Sequence, residues 1–307
     1  MTNEPLEFAP LLPIKFSAYS SSSGHFVLLH EWFNPRNLLL LIMDLEIAGN
    51  AALVTASSRG LGNASATALV REGVNVVING RDAETLEAAA EELRAEAADG
   101  ARVVPVVGDL TDEDDIVTLV ETTVDEFGTI DHLVTSAGGP PSGTFLDTDD
   151  EDWYQAYDLL VMSVVRLVRE AAEPLAADGG GTIVNITSRS VKEAIDSLVL
   201  SNAVRMSVIG LEKTLSKEFA PDVRVNAVLP GSHETSRIKE LIEQGVERGD
   251  FENYEQGLEQ WGSSNPLGRI GDPMELGNTV AFLSSPNSGF INGQSIVIDG
   301  GSGNANL

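Results

Sequence analysis

The sequence predicts an α/β fold: a single doubly wound parallel sheet of about seven strands with helices on both faces. Three observations support it. Short runs rich in β-branched residues alternate with longer helical stretches from about residue 43 onward. Several of those runs are apolar throughout, as in Val76-Val77-Ile78 and Ile183-Val184, which suits strands covered on both faces. A glycine-rich segment, Thr55-Ala56-Ser57-Ser58-Arg59-Gly60-Leu61-Gly62, stands between the first strand and the first helix.

Residues 1–42 differ from the rest: they are poor in charge, include Ser20-Ser21-Ser22-Ser23, and show neither helical nor strand periodicity. A secretory signal begins with basic residues, whereas Met1 to Pro10 carries Glu4 and Glu7. This stretch is expected to be a disordered extension or the product of a misassigned start, with a structured cap as the alternative. Met43-Asp44-Leu45-Glu46 then opens a domain spanning 43–307. Its strands are expected at Ala51 to Thr55, Asn75 to Asn79, Arg102 to Val107, His132 to Ser136, Thr182 to Thr187, Arg224 to Leu229 and Ser295 to Ile298. The first helix is expected to start near Asn63, Tyr154 and Tyr157 to lie on the helix after the fourth strand, and a late helix to end near Phe219.

A net charge of −28, from 47 acidic and 19 basic residues, makes a surface that repels nucleic acid and anionic membranes. The acidic residues are spread through predicted helices, as in Glu84 to Glu96, and read as a solvated coat adapted to high salt; an ordinary acidic cytosolic enzyme is the alternative. The absence of cysteine excludes disulfides, thiolate metal sites and a cysteine nucleophile. No apolar run is long enough to cross a bilayer, and no residues cluster with metal-ligand spacing.

A glycine-rich turn from strand to helix lets backbone N–H groups meet a pyrophosphate, the arrangement of a Rossmann-type dinucleotide site. Gly60 and Gly62 match the T-G-x-x-x-G-x-G turn of the short-chain dehydrogenase/reductase family, with Ala56 in place of its first glycine. Asp109-Leu110 resembles the family's adenine-side contact, Ser136-Ala137-Gly138-Gly139 its N-A-G turn, and Pro230-Gly231 with Thr235 its segment near the nicotinamide. Pro266 to Gly271 and Gly293 to Gly301 resemble its closing signature, so the likeness runs from Met43 to Gly301. The resemblance implies a small-molecule substrate, a nicotinamide cofactor held by Thr55, Ser57, Ser58, Arg59, Gly60, Leu61, Gly62, Asp109, Leu110, Ser136, Ala137, Gly138, Pro230, Gly231 and Thr235, and a dimeric or tetrameric, cytoplasmic assembly. At Asn79-Gly80-Arg81, where an acidic residue would hold the 2′-hydroxyl of NAD, none is present. Arg59 and Arg81 occupy positions where basic residues accompany NADP, so NADP(H) is favoured over NAD(H).

The family's chemistry uses a serine, a tyrosine, a lysine four residues beyond it and a helical asparagine. Ser188 retains the serine position, whereas the register places Ser201, Arg205 and Leu160 at the other three. Guanidinium does not deprotonate in turnover, and a serine hydroxyl is a far weaker acid than a phenol. Arg205 is read as a substitute ribose ligand. Lys192 is the nearest candidate for a substitute acid, its alternative being a loop lysine paired with Glu193 or another carboxylate. Leu200-Ser201-Asn202-Ala203-Val204-Arg205 resembles a divergent branch of the 3-oxoacyl carrier-protein reductases. His233 is read as a solvent-facing loop residue, with a proton-donor role as the alternative; Tyr154, Tyr157 and Tyr254 are assigned packing and substrate-loop contacts within or beside a substrate loop at about 232–264. The implied function is an oxidoreductase acting on a carbonyl or alcohol; the other reading is a non-catalytic dinucleotide-binding or sensor protein.

Overall fold

The computed structural model describes residues 43–98, 100–177, 179–263 and 265–306. The expectations for residues 1–42 lie outside the described residues.

Among the described residues seven strands form one sheet: β1 (Ala51–Val54), β2 (Asn75–Gly80), β3 (Val103–Val107), β4 (His132–Thr135), β5 (Gly181–Ile186), β6 (Val223–Pro230) and β7 (Ser295–Ile298). Every adjacent pair is parallel, in the order β3-β2-β1-β4-β5-β6-β7. The doubly wound expectation holds, and each strand end falls within one residue of its predicted place. The order reverses between β1 and β4, and in such sheets ligands bind beyond the carboxyl ends of the strands at that point.

Alternation along the strands sorts side chains to two apolar layers. Val54, Val76, Ile78 and Val184 pack with Leu69 of α1 (Gly60–Arg71), Leu86 and Leu93 of α2 (Ala83–Glu96) and Val280 of α9 (Pro273–Ser284). Leu53, Val77, Leu133 and Ile183 pack with Leu119 of α3 (Glu113–Phe127), Leu167 of α5 (Ser163–Ala176) and Leu215 of α6 (Val199–Glu218). Helices α1 and α9 touch closely because Gly277 carries no side chain; a Cβ there would stand 2.3 Å from the Ala64 carbonyl oxygen. Part of the acidic surplus has a local function: Asp82, Asp112, Asp149 and Asp272 each accept backbone N–H groups at a helix N-terminus. Between α4 (Asp150–Tyr157) and α5 the helix widens to a π-turn over Asp158–Met162.

His132 begins β4, as expected, at the end of the sheet opposite the switch-point cleft. Its Nε2 lies 3.0 Å from Asn50 Nδ2, which has only hydrogens to give, so Nδ1–H donates to Thr182 Oγ1 at 2.9 Å. Burial, with Arg224 adding to it, pushes the imidazole pKa down from 6.5 to about 3. The unfolded chain therefore binds a proton near pH 6.5 that the folded chain refuses. Stability is expected to fall as pH drops from about 6.5 towards 3, with this one group contributing up to ~1.4 kcal/mol per pH unit. Urea unfolding of His132→Asn across that range should show a shallower fall than the parent; an equal slope contradicts the assignment.

Candidate functional site

The turn after β1 is held by side chains that bond to backbone. Thr55 Oγ1 donates to the Ser136 carbonyl (2.7 Å) and accepts from Ser136 N–H (2.9 Å), joining the carboxyl ends of β1 and β4. Ser57 Oγ donates to the Val54 carbonyl (2.6 Å) and accepts from Asn79 N–H (3.0 Å). Both hydroxyls are fully buried, so these two members of the expected cofactor set shape the turn from behind. The Asn79 amide completes the brace: Oδ1 accepts from Ala56 N–H (3.1 Å), and Nδ2 donates to the Gly108 carbonyl (3.0 Å) beyond β3. Sequence reasoning treated Asn79 only as a missing carboxylate. Its position inside an apolar strand was the available signal.

Ala56, at the first glycine position of the motif, has φ +45°, a left-handed conformation that costs an L-residue about 1 kcal/mol. Gly62 must lack a side chain, since a Cβ would stand 2.5 Å from the Ala56 carbonyl oxygen. Helix α1 opens at Gly60, earlier than the expected Asn63, because Asn63 N–H already bonds back to the Arg59 carbonyl and closes the first turn. A Cβ on Gly60 would lie 3.6 Å from Thr235 Cγ2, so the residue capping α7 (Ser236–Arg248) reaches over the glycine turn. Pro230 ends β6, and Gly231 N–H bonds to the Ile298 carbonyl at 2.9 Å. Leu61 is turned towards the core.

Beyond this turn lies a cavity of about 240 Å³ lined by Ser58, Arg59, Arg81, Asp109, Leu110 and Gly138, together with Ala56, Asn79 and Leu159. Six of the predicted cofactor residues thus meet at the switch point. Arg59 and Arg81 are exposed on its rim. Arg59 Nη2 donates to Thr85 Oγ1 at 3.2 Å, and Arg81 lies 4.0 Å from Asp109, so each is tethered while its cationic face stays accessible. The Thr111 backbone N–H, helped by its hydroxyl and by Arg81, holds the Asp109 pKa below the ordinary carboxylate value.

Deeper in, the π-turn divides two leucines: Leu159 lines the larger cavity, while Leu160 lines a smaller one with Ser136, Ala137 and Arg205. The register that set Leu160 and Arg205 at one place therefore brings them together. Arg205 is buried, donates from Nη2 to the Gly138 carbonyl at 3.3 Å, and leaves Nε without a partner. Desolvation pushes its pKa down to about 10, still well above neutrality. Ser201, also buried, has its hydroxyl 3.1 Å from that of Ser190, and Ser188 Oγ accepts from Ser190 N–H at 3.1 Å. Ser190 is thus a shared partner of both serines, which spacing alone did not identify.

Three expectations are corrected. Lys192 is exposed and lines a separate cavity with Ser295 and Val297 at the β7 edge of the sheet, where the carboxylate its charge acts on is Glu212, while Glu193 is bonded to Asn304. His233 does not face solvent: it is buried against Gly271, with Nδ1 3.2 Å from the Gly231 carbonyl, and burial lowers its pKa. Tyr154 and Tyr157 are exposed and do not pack as core residues. Segment 232–264 forms α7 and α8 (Tyr254–Gly262). There Tyr254 donates to Glu234 at 2.8 Å, and desolvation with that carboxylate pushes its pKa up to about 12. Among the described residues no group of three or more potential metal ligands occurs, and no helix is long and apolar enough to cross a membrane.

A family profile described as enoyl-(acyl carrier protein) reductase matches residues 55–303. A 3-oxoacyl-[acyl-carrier-protein] reductase of Synechocystis is 33% identical over 258 residues, covering 83% of this chain and 97% of its own. Among solved structures, L-sorbose reductase from Gluconobacter frateurii complexed with NADPH and L-sorbose aligns with a TM-score of 0.81 at 29% identity, over 86% of this chain and 100% of that one. An NADPH-bound short chain oxidoreductase from Pseudomonas aeruginosa PAO1, described as containing an atypical catalytic center, aligns with a TM-score of 0.75 at 30% identity, over 84% of this chain and 98% of that one.

Replacing Ala56 by glycine removes the left-handed penalty and is expected to stabilise the protein by about 0.5–1 kcal/mol in urea unfolding; a loss of stability refutes the strain. Asn79→Ala leaves the Ala56 N–H and the Gly108 carbonyl without partners. It should cost about 2 kcal/mol or more by the same measurement, and a change near zero shows that the brace is dispensable.

Proposed function

The chain belongs to the short-chain dehydrogenase/reductase family, and we propose that it is an NADP(H)-dependent member acting on a carbonyl or alcohol, similar to the 3-oxoacyl reductases, with an altered catalytic set. The observation that carries the cofactor choice is the pair Arg59 and Arg81 on the rim of the switch-point cavity, beside a β2 end whose Asn79 amide is engaged with backbone. In a chain with 19 cations among 47 acidic groups, two guanidinium groups at one cavity favour a 2′-phosphate over a bare ribose hydroxyl. Likeness to proteins solved with NADPH supports the same reading.

The residues fit a dinucleotide by their own geometry. Gly60 and Gly62 let the strand-to-helix turn close tightly, since a Cβ at 62 would strike the Ala56 carbonyl oxygen, and Arg205 holds an orphaned buried N–H. The pyrophosphate would lie on the turn from Ser58 to Gly62, the adenine beside Asp109 and Leu110, the 2′-phosphate between Arg59 and Arg81, and the nicotinamide end near Gly138, Arg205, Gly231 and Thr235. The bound cofactor supplies or accepts a hydride. Ser188 Oγ, at the end of β5, orients the substrate oxygen. Ser201 Oγ stands at the acid position and is hydrogen-bonded to Ser190 Oγ. Arg205, one helical turn on, supplies a fixed positive charge that favours an oxyanion there without giving up a proton. Lys192, exposed at another cavity, is not assigned the acid role. Likeness to a protein described as containing an atypical catalytic center supports an altered set. The same proposal takes residues 43–307 as one cofactor-binding domain with its substrate loop at 232–264, assembled as a dimer or tetramer in a salt-rich cytoplasm.

Protein purified in high salt is expected to oxidise NADPH with β-keto esters or quinones, and Arg59→Ala/Arg81→Ala should weaken NADPH binding at least about tenfold while changing NADH binding little. Tight NADPH binding without turnover on any carbonyl refutes the enzyme and leaves the dinucleotide-binding reading. Equal weakening for both cofactors refutes the assignment of the two arginines.

A further inference from the structure

We propose that the small cavity beside Arg205 is a binding site for a monatomic anion such as chloride or bromide, which neutralises a guanidinium that the fold buries without a counter-ion. Arg205 is 8% exposed, and among the described residues no carboxylate lies within ion-pair distance of it. One neutral carbonyl, that of Gly138, is its hydrogen-bond partner, and Nε has none. Burying a cation on those terms costs several kcal/mol unless something of opposite charge accompanies it. The buried guanidinium therefore calls for an acceptor that the described residues do not provide.

The space selects its size. Arg205 lines a cavity of about 10 Å³ with Leu160, Val164 and Val208, a space on the scale of a single particle. Thr135 and Thr187, which also line it, already direct their hydroxyl hydrogens to Asn185 and to the Val228 carbonyl. Water would satisfy a donor but leave the charge unbalanced; a halide satisfies both. The inference concerns the nucleotide-free protein and does not rest on the dinucleotide reading, since Arg205 needs a counter-ion whatever fills the larger cavity.

Thermal unfolding of nucleotide-free protein and of Arg205→Met is compared in sodium bromide and sodium gluconate at equal ionic strength. The parent should gain about 3 °C or more in bromide over gluconate beyond whatever the variant gains, rising with the logarithm of bromide concentration. Crystals of the parent grown in bromide should show an anomalous scatterer within hydrogen-bonding reach of Arg205 Nε, a measurement that stands even if the variant does not fold. The same salt response in both proteins, or crystals without an anomalous scatterer at the cavity, overturns the site. Failure to bind NADPH in a separate titration would bear on the cofactor and not on this anion.

Discussion

The cleft at the switch point depends on how the carboxyl ends of β1, β2, β3 and β4 are tied together. Backbone at the ends of parallel strands has no ladder partner, and a buried N–H or C=O left unpaired is costly. Two short polar side chains meet that need. Thr55 bonds both polar groups of Ser136, and Asn79 bonds Ala56 on one side and Gly108 on the other. With those ends fixed, the glycine turn keeps its left-handed opening at Ala56, and the cavity beyond it has a defined floor. Arg59 and Arg81 stand together on the rim of that cavity.

The second layer of the site rests on a different balance. On the proposed assignment, the usual tyrosine and lysine positions carry Ser201 and Arg205, and the exchange alters charge as well as shape. A phenol supplies a proton that a hydroxyl of serine gives up far less readily, while a guanidinium holds its positive charge even when burial lowers its pKa. The result is a permanent cation within the fold, next to two linked serines, where the family pattern places an acid and its modulator. The π-turn that splits Leu159 from Leu160 feeds both parts, one leucine to the outer cavity and the other to the inner one.

Much of this was legible before the structure. Continuous apolar runs such as Val76-Val77-Ile78 define strands buried on both faces, and the strand ends shifted by no more than one residue. The clustering of Ser58, Arg59, Arg81, Asp109, Leu110 and Gly138 followed from topology, because all lie at carboxyl ends of strands that the motif order makes adjacent. Side-chain direction was not legible. Lys192 lies four residues beyond Ser188 in the chain, yet the short helical turn at Arg189–Val191 leaves it exposed at the sheet edge. His233 reads as a loop residue, but its bridge to Gly271 buries it, and that pairing spans 38 positions of sequence that no local pattern connects. Ser190 carried no spacing signal; its importance arises only when α6 brings Ser201 against it.

The central claim is that the switch-point cavity, with its two rim arginines, recognises a 2′-phosphorylated adenine nucleotide. Calorimetric titration with 2′,5′-ADP and with 5′-ADP isolates that half of the cofactor from any chemistry. The account predicts that 2′,5′-ADP binds about tenfold more tightly or better, with the preference declining as salt rises, as expected for guanidinium and phosphate in contact. Equal affinities, or tighter binding of 5′-ADP, would contradict it.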